Sequence, residues 1–241
     1  MDQLLERNAA GELRAGPAGR GFYDERRRCT GVTKLLRRFL RKGLREPQPR
    51  VARSGWRLMA SSRATGAKIH RVLLHGIVCE GGTCVCDASG SPAPDTRITA
   101  QMYSRACLAA GREFLCDAQL RAVAGEVIVA HPRFAVATRI DLVCRDARDR
   151  CVLVSWKSGG GAANACELQR HKTQVAFEWA MVEAAGERVA AAYVVYVGGL
   201  AREGAFAPYY RVVPVARDEA RTLADAFGTW LERRRVRKER K

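Results

Sequence analysis

Residues 124–157, AGEVIVAHPRFAVATRIDLVCRDARDRCVLVSWK, decide the fold of this chain. Three short runs in this stretch are rich in β-branched and aromatic residues, and turn-forming segments separate them. Short runs joined by turns predict three consecutive antiparallel strands. The sequence that follows predicts a helix at about 166–185, strands near 189–197 and 208–215, and a last helix from about 217.

The sequence before these strands has the periodicity of helices. Residues 31–44, GVTKLLRRFLRKGL, place apolar side chains at helical spacing and cations on the other face. Two further helices are predicted at 60–78 and 98–115. Helices followed by three strands, a helix and more strand predict an α/β fold, with a central mixed sheet flanked by helices.

Composition divides the chain into three parts. Residues 1–29 are rich in Gly, Ala, Arg and Glu without a sustained period, which predicts a flexible basic arm. Residues 30–232 form the predicted domain. Residues 233–241, RRRVRKERK, form a basic C-terminal tail.

The charge of the chain is unevenly distributed. Its 241 residues include 42 Lys and Arg against 25 Asp and Glu, a net charge of +17. The excess lies in residues 1–72 and 231–241, whereas residues 73–230 are neutral in sum. Cationic ends on a neutral body suit a polyanion such as nucleic acid, although solubilising or targeting tails have the same composition. The candidate nucleic-acid contacts are Lys34, Arg37, Arg38, Arg41, Lys42, Arg233, Arg234 and Arg235.

Several features bear on the compartment. No stretch approaches the roughly 20 apolar residues that span a bilayer, which excludes an integral membrane protein. Without a secretory signal, the nine cysteines are expected to be reduced thiols. The basic tail predicts a nuclear location or a DNA contact, and the Arg-rich N-terminal region keeps the mitochondrion open as an alternative. The excess of arginine over lysine is typical of a GC-rich genome such as that of a large DNA virus.

An acid and a lysine lie near the ends of neighbouring predicted strands. Strand alternation places Ser155 and Lys157 on one face, and Asp141 on the preceding strand can meet them. These residues alone favour an ordinary cross-strand ion pair. His70 shares a helical stripe with Leu73 and other apolar residues, which on its own is typical of a buried structural histidine.

A longer series of motifs changes this interpretation. In chain order they are GVTKLL, GAKIHRVL, Glu126 in GEVIV, Asp141 in RIDLV, VLVSWKSG and TQVAFEWAM. In this order the chain resembles the PD-(D/E)XK nuclease superfamily, specifically its RecB-like branch and the mitochondrial genome maintenance exonuclease group, over about residues 30–235. The resemblance implies a restriction-endonuclease-like core and a DNA exonuclease that acts on single-stranded ends or flaps in replication, recombination or genome processing.

The resemblance also implies a site for Mg²⁺ or Mn²⁺. Such cations prefer oxygen ligands, acidify a bound water and neutralise charge on a phosphate. Asp141, His70 and Glu126 are implied as metal ligands. Lys157 is implied as the group that orients or deprotonates the attacking water, so that the catalytic set is Asp141, Lys157, Glu126 and Gln174.

Three positions depart from the family pattern. Ser155 stands where the second carboxylate belongs, Thr138 replaces a common glycine, and Glu178 replaces an aromatic residue. Ser155 can bind the metal directly or through a water, another carboxylate can substitute, or the site is inactive. In the last case the chain would be a nuclease-fold protein that binds nucleic acid without cutting it.

The substitute carboxylates lie on the predicted helix after the strands. Glu167, His171, Gln174 and Glu178 form one stripe at helical spacing, so Glu167 and Glu178 are candidates. The alternative is a solvated polar face.

Overall fold

A computed structural model describes residues 1–15, 22–24, 27–41, 63–79, 100–158, 165–202 and 205–239. The described residues contain eight strands: β1 (Leu13–Ala15), β2 (Phe22–Asp24), β3 (Arg27–Gly31), β4 (Arg121–Ala130), β5 (Val136–Arg145), β6 (Cys151–Ser158), β7 (Val189–Arg202) and β8 (Ala205–Val215). The helices are α1 (Asp2–Ala9), α2 (Val32–Arg41), α3 (Arg63–Leu74), α4 (Ala100–Asp117), α5 (Ala165–Ala184) and α6 (Arg217–Glu239). A π-helical turn, His75–Cys79, continues α3.

The strands form one mixed sheet. β5 pairs antiparallel with β4 along one edge, and its other edge pairs antiparallel with β6 and parallel with β3. β6 pairs parallel with β7, which in turn pairs antiparallel with β8. The predicted α/β fold with a central mixed sheet flanked by helices is confirmed.

Both faces of the central strands are buried, which explains their continuous apolar sequence. Leu153 packs in a cluster with residues of α2, α5 and α6, whereas Val154 and Trp156 pack with residues of α3 and α4. Residues Cys151 to Trp156 are therefore all buried. Lys157, near the end of β6, is only partly buried and lines a cleft.

The N-terminal residues differ from the expected flexible arm. The described residues within 1–29 contain α1 and the short strands β1 to β3, and Leu4 and Leu13 are buried. The Asn8 side chain donates a hydrogen bond to the Ile128 carbonyl (2.9 Å) and accepts one from the Ile128 N–H (2.8 Å). Contacts with distant parts of the chain order this segment, and its composition gives no sign of them.

The C-terminal residues also differ from the expectation. α6 continues to Glu239, so Arg233, Arg234 and Arg235 lie on a helix rather than in a separate tail. Phe227 and Leu231 anchor this helix in the core. No helix in the described part of the chain is both long and apolar enough to cross a membrane.

Candidate metal centre

Glu126 and Asp141 lie opposite each other on β4 and β5. The pairs Gly125 with Leu142 and Val127 with Ile140 bracket them in the register. Glu126 has a left-handed backbone with φ of 58°, which costs an ordinary residue about 1–2 kcal/mol. Backbone strain of this kind clusters at functional sites, and here it accompanies two acidic side chains brought to one place.

His70 joins these carboxylates from α3. Its Nδ1 lies 3.4 Å from Asp141 Oδ1, and one ligand atom each from His70, Glu126 and Asp141 lie within 4.8 Å of one another. Ile69 and Leu73 are buried beside His70 and fix the rotation of the helix. The structure therefore brings together three of the four side chains that the resemblance implies as metal ligands, and Ser155 is the fourth.

Hydrogen bonds fix the carboxylate of Asp141. Its Oδ2 accepts a bond from the Trp156 N–H (2.9 Å) and another from the Ser155 hydroxyl (3.0 Å). Lys157 Nζ donates to Ser155 Oγ at 2.7 Å and lies 3.7 Å from Asp141 Oδ2. Ser155 thus links Asp141 to Lys157, and Asp141 Oδ1 faces His70.

Opposing effects act on the pKa values of the acidic residues. Burial by itself would raise the pKa of Asp141, but Lys157, His70 and Ser155 together hold it well below its ordinary value. Burial raises the pKa of Glu126, and Arg139 only partly opposes this. Burial disfavours protonation of His70, yet the Asp141 carboxylate leaves its pKa raised overall.

Thr138 and Glu178, which stand where the family that the sequence resembles has a glycine and an aromatic residue, contact each other. Glu178 Oε1 accepts hydrogen bonds from the Thr138 hydroxyl (3.0 Å) and from Gln174 Nε2 (2.8 Å). Glu178 is only 1% exposed, and burial, reinforced by the Asp141 charge, raises its pKa to about 7. Glu178 does not belong to the three-residue cluster, since its carboxylate is held between Thr138 and Gln174.

The other candidate carboxylate on α5 lies at the surface. Glu167 is half exposed and lies 3.7 Å from Arg170, outside the three-residue cluster. His171 Nδ1 lies 2.9 Å from the Tyr196 hydroxyl, and burial, with help from Lys157 and Arg170, lowers the pKa of His171 to about 3. Because His171 is half-buried and Glu178 fully buried, the polar stripe of α5 is not a solvated face.

A cleft of about 920 Å³ lies beside the three-residue cluster, and His70 and Asp141 are the members that line it. Its lining includes His70, Asp141, Lys157 and Gln174, and also four cationic side chains. These are Arg28, Lys34, Arg139 and Arg170. Such a lining gives the cleft the charge that a phosphate backbone requires.

The predicted nucleic-acid contacts fall in different places. Lys34 lines the cleft and Arg38 is exposed on α2, whereas Lys42 and the side chains of Arg37 and Arg41 lie outside the described residues. The three predicted contacts on α6, Arg233, Arg234 and Arg235, are not among the residues that line the cleft. Arg233 is exposed, Arg234 packs over the Trp230 ring, and Arg235 pairs with Glu232 at 2.6 Å.

Sequence reasoning missed Arg139, which forms an ion pair with Glu126 (Nε to Oε2, 2.5 Å). Its position was a usable signal, since it lies two residues before Asp141 on the same strand. Residues at that spacing share a face of a strand. The positive φ of Glu126 and the hydrogen bond between His171 and Tyr196 had no comparable signal in the sequence.

Comparison with known proteins assigns the chain to no family. No protein-family model matches it, and no curated protein matches it significantly. A search of solved structures matches 17 chains, among them "Crystal structure of SSO0001", at 14% identity and a TM-score of 0.27. This match covers 52% of the chain and 57% of the other, so the chain spans little more than half the length of the protein it matches. A likeness at this level carries no argument about function.

Proposed function

We propose that the protein is a Mg²⁺- or Mn²⁺-dependent deoxyribonuclease of the RecB-like PD-(D/E)XK type. It would act as an exonuclease on single-stranded DNA ends or flaps during replication, recombination or genome processing. The observation that carries the proposal is the cluster of His70, Glu126 and Asp141, with ligand atoms within 4.8 Å of one another. His70 and Asp141 line a cationic cleft together with Lys157.

The donor set fits a divalent cation of this kind. Glu126 and Asp141 supply carboxylate oxygens, the ligands that Mg²⁺ and Mn²⁺ prefer, and His70 adds an imidazole. Asp141 Oδ1 faces the cluster while Oδ2 is held by Ser155 and Trp156. When bound, the cation would supply charge neutralisation at the scissile phosphate and acidification of a water.

The remaining groups would bind and orient the substrate. Lys157 projects its ammonium beside Asp141 and can donate to a phosphate oxygen or hold the attacking water. Arg28 and Lys34 are exposed on the cleft wall, and neither forms an ion pair with a described acidic residue. They can therefore contact backbone phosphates on either side of the cut.

A second candidate function is nucleic-acid binding without cleavage. Ser155 favours it, because a serine hydroxyl is a neutral and weaker ligand than the carboxylate of the family pattern. The cationic cleft would serve this function equally well.

A cleavage assay on an end-labelled single strand, in Mg²⁺ or Mn²⁺, distinguishes a nuclease from a protein that binds nucleic acid without cutting it. Asp141→Asn and Lys157→Ala should each lower the rate by about 100-fold or more, since each removes a group from the reacting centre. The matched control is Asp149→Asn, the same chemical change at an exposed turn. An intact strand with the wild-type protein, together with tight binding, would establish the non-cleaving function instead.

A further inference from the structure

Each carboxylate of the metal centre already has a cation beside it. Arg139 Nε lies 2.5 Å from Glu126 Oε2, and Lys157 Nζ lies 3.7 Å from Asp141 Oδ2. Two negative charges are thus balanced by two positive ones. A divalent cation that enters this cluster meets both side-chain cations at short range, so at least one of them is repelled.

Arg139 is the cation that is free to move. Lys157 is 16% exposed and its ammonium is held by Ser155 at 2.7 Å, in the interior of the cleft. The Arg139 side chain is 51% exposed and lines the same cleft. Glu126, its partner, is also the ligand that a divalent cation would take from it.

The cleft offers the released guanidinium a second partner. Arg28 and Lys34 line the cleft with Arg139, and together they would surround a phosphate of a bound strand. A guanidinium binds phosphate through two parallel hydrogen bonds, as it binds a carboxylate. Arg139 can therefore exchange Glu126 for a phosphate without losing a charged partner.

We propose that Arg139 couples cation binding to DNA binding by exchanging partners. It pairs with Glu126 when no cation is bound, and with a substrate phosphate when a divalent cation takes Glu126. This inference rests on the proposed function for its cation and its substrate. Because coupling is reciprocal, the cation tightens DNA binding by the same factor as DNA tightens cation binding.

The test measures binding rather than cleavage. Mn²⁺ affinity is measured by calorimetry, and strand affinity is measured with and without Mn²⁺ on a phosphorothioate single strand that resists hydrolysis. In the wild type, saturating Mn²⁺ should tighten strand binding about 5- to 100-fold. Arg139→Gln should bind Mn²⁺ about 5-fold more tightly without DNA, because Glu126 is no longer paired, and should lose most of the Mn²⁺ effect on strand affinity.

A matched control, Arg121, lies on β4, the strand that carries Glu126. Arg121 pairs with Asp149 at 3.2 Å in an exposed ion pair, so Arg121→Gln removes the same charge from the same sheet. It should behave as the wild type in both measurements. A similar change in Arg121→Gln and Arg139→Gln would reduce the effect to net charge and overturn the proposal.

Glu126→Gln tests the exchange in the opposite direction. It releases Arg139 without a cation, so strand binding in the absence of Mn²⁺ should become tighter than in the wild type. The gain should vanish in the double variant Glu126→Gln/Arg139→Gln. A gain that persists in the double variant, or Mn²⁺ affinity of Arg139→Gln no higher than wild type, overturns the proposal. Failure of the wild type to bind Mn²⁺ is a different result, since it removes the metal centre itself.

Discussion

Ser155 is the residue at which this site departs most from a metal centre with three acidic ligands. Its hydroxyl donates to Asp141 and accepts from Lys157, so it links the two charged side chains. A carboxylate there would lie about as close to Asp141 Oδ2 as the hydroxyl, which is at 3.0 Å.

Ser155→Asp should therefore destabilise the cation-free protein and increase its response to metal. Two close buried carboxylates repel each other, and Lys157 offsets this only partly, so we expect a loss of about 2 kcal/mol in unfolding free energy. Added Mn²⁺ should restore the lost unfolding free energy, because the cation binds both carboxylates. The measurement is thermal unfolding with and without Mn²⁺. The control is Ser155→Asn, whose side chain matches aspartate in size but is neutral. If Mn²⁺ shifts the unfolding temperature of the two variants equally, residue 155 is not a ligand position.

Glu178 makes stability depend on pH. Its pKa in the folded protein is about 7 against an ordinary value of 4.5, so its contribution to stability is full below pH 4.5 and is lost as pH rises through 7. The loss is on the order of 3 kcal/mol. Glu178→Gln keeps an oxygen for Thr138 and Gln174 and removes the charge, so its stability advantage over wild type should grow from pH 5 to pH 8.

Urea unfolding at several pH values measures this difference. Glu183→Gln, on the exposed side of the same helix, is the control and should follow the wild-type pH dependence. Parallel pH curves for Glu178→Gln and the wild type would show that Glu178 does not titrate in this range.

Local spacing in the sequence predicted only part of the site, and His70 and Glu126 were predicted from the resemblance of their motifs to a known family. Alternation along β6 predicted that Ser155 and Lys157 share one face. Asp141 lies on the preceding strand, so it was predicted to meet them across the strand pair. The bond from Thr138 to Glu178 spans 40 residues, and two departures that look independent in the sequence prove to be one contact. Pairing across elements has no local period, so it became visible only in the folded chain.

Among the secondary-structure elements, α3 carries His70, and the C-terminal end of this helix packs against β4. This contact positions His70. A Cβ on Gly125 would overlap the end of the Leu74 side chain, so Leu74 or the helix must move to make room for it. Gly125→Ala should displace α3, with a loss of about 1–3 kcal/mol in stability and a clear loss of Mn²⁺ affinity. Calorimetry measures the affinity.

A second substitution in the same contact separates crowding from other effects. Gly125→Ala/Leu74→Ala makes room for the added Cβ and should recover part of the Mn²⁺ affinity. Gly228→Ala, where a Cβ meets no atom within 4 Å, should leave affinity unchanged. Equal affinity in Gly125→Ala and the wild type would mean that the approach of α3 does not position His70.

Long elements were predicted well and short ones poorly. β4 to β6, α5 and the start of α6 agree with the sequence pattern to within a few residues, because burial on one or both faces gives each a periodic or continuous apolar signal. β1 and β2 have three residues each, too few to show a period. β1 and β2 are held in place by pairing with each other and with β3. The neighbouring helix α1 is held by contacts such as that of Asn8 with Ile128.

At the scale of the whole molecule, positive charge lies in the cleft wall and along the end of α6. Changing Arg233, Arg234 and Arg235 together to Gln should weaken single-strand binding at low salt. Each lost phosphate contact should reduce the slope of log affinity against log salt by about 0.7. The slope comes from strand binding at several salt concentrations. An unchanged slope would leave this segment as a targeting signal, with DNA held by the cleft alone.

The central claim is that His70, Glu126 and Asp141 bind a divalent cation that drives phosphodiester hydrolysis. It is tested most directly by the single-turnover cleavage rate of an end-labelled single strand, followed as Mn²⁺ concentration increases, for the wild type and Asp141→Asn. We expect the wild-type rate to rise to saturation with Mn²⁺ and the rate of Asp141→Asn to be at least about 100-fold lower. Equal rates in the two proteins, or no cleavage at any Mn²⁺ concentration, would contradict it.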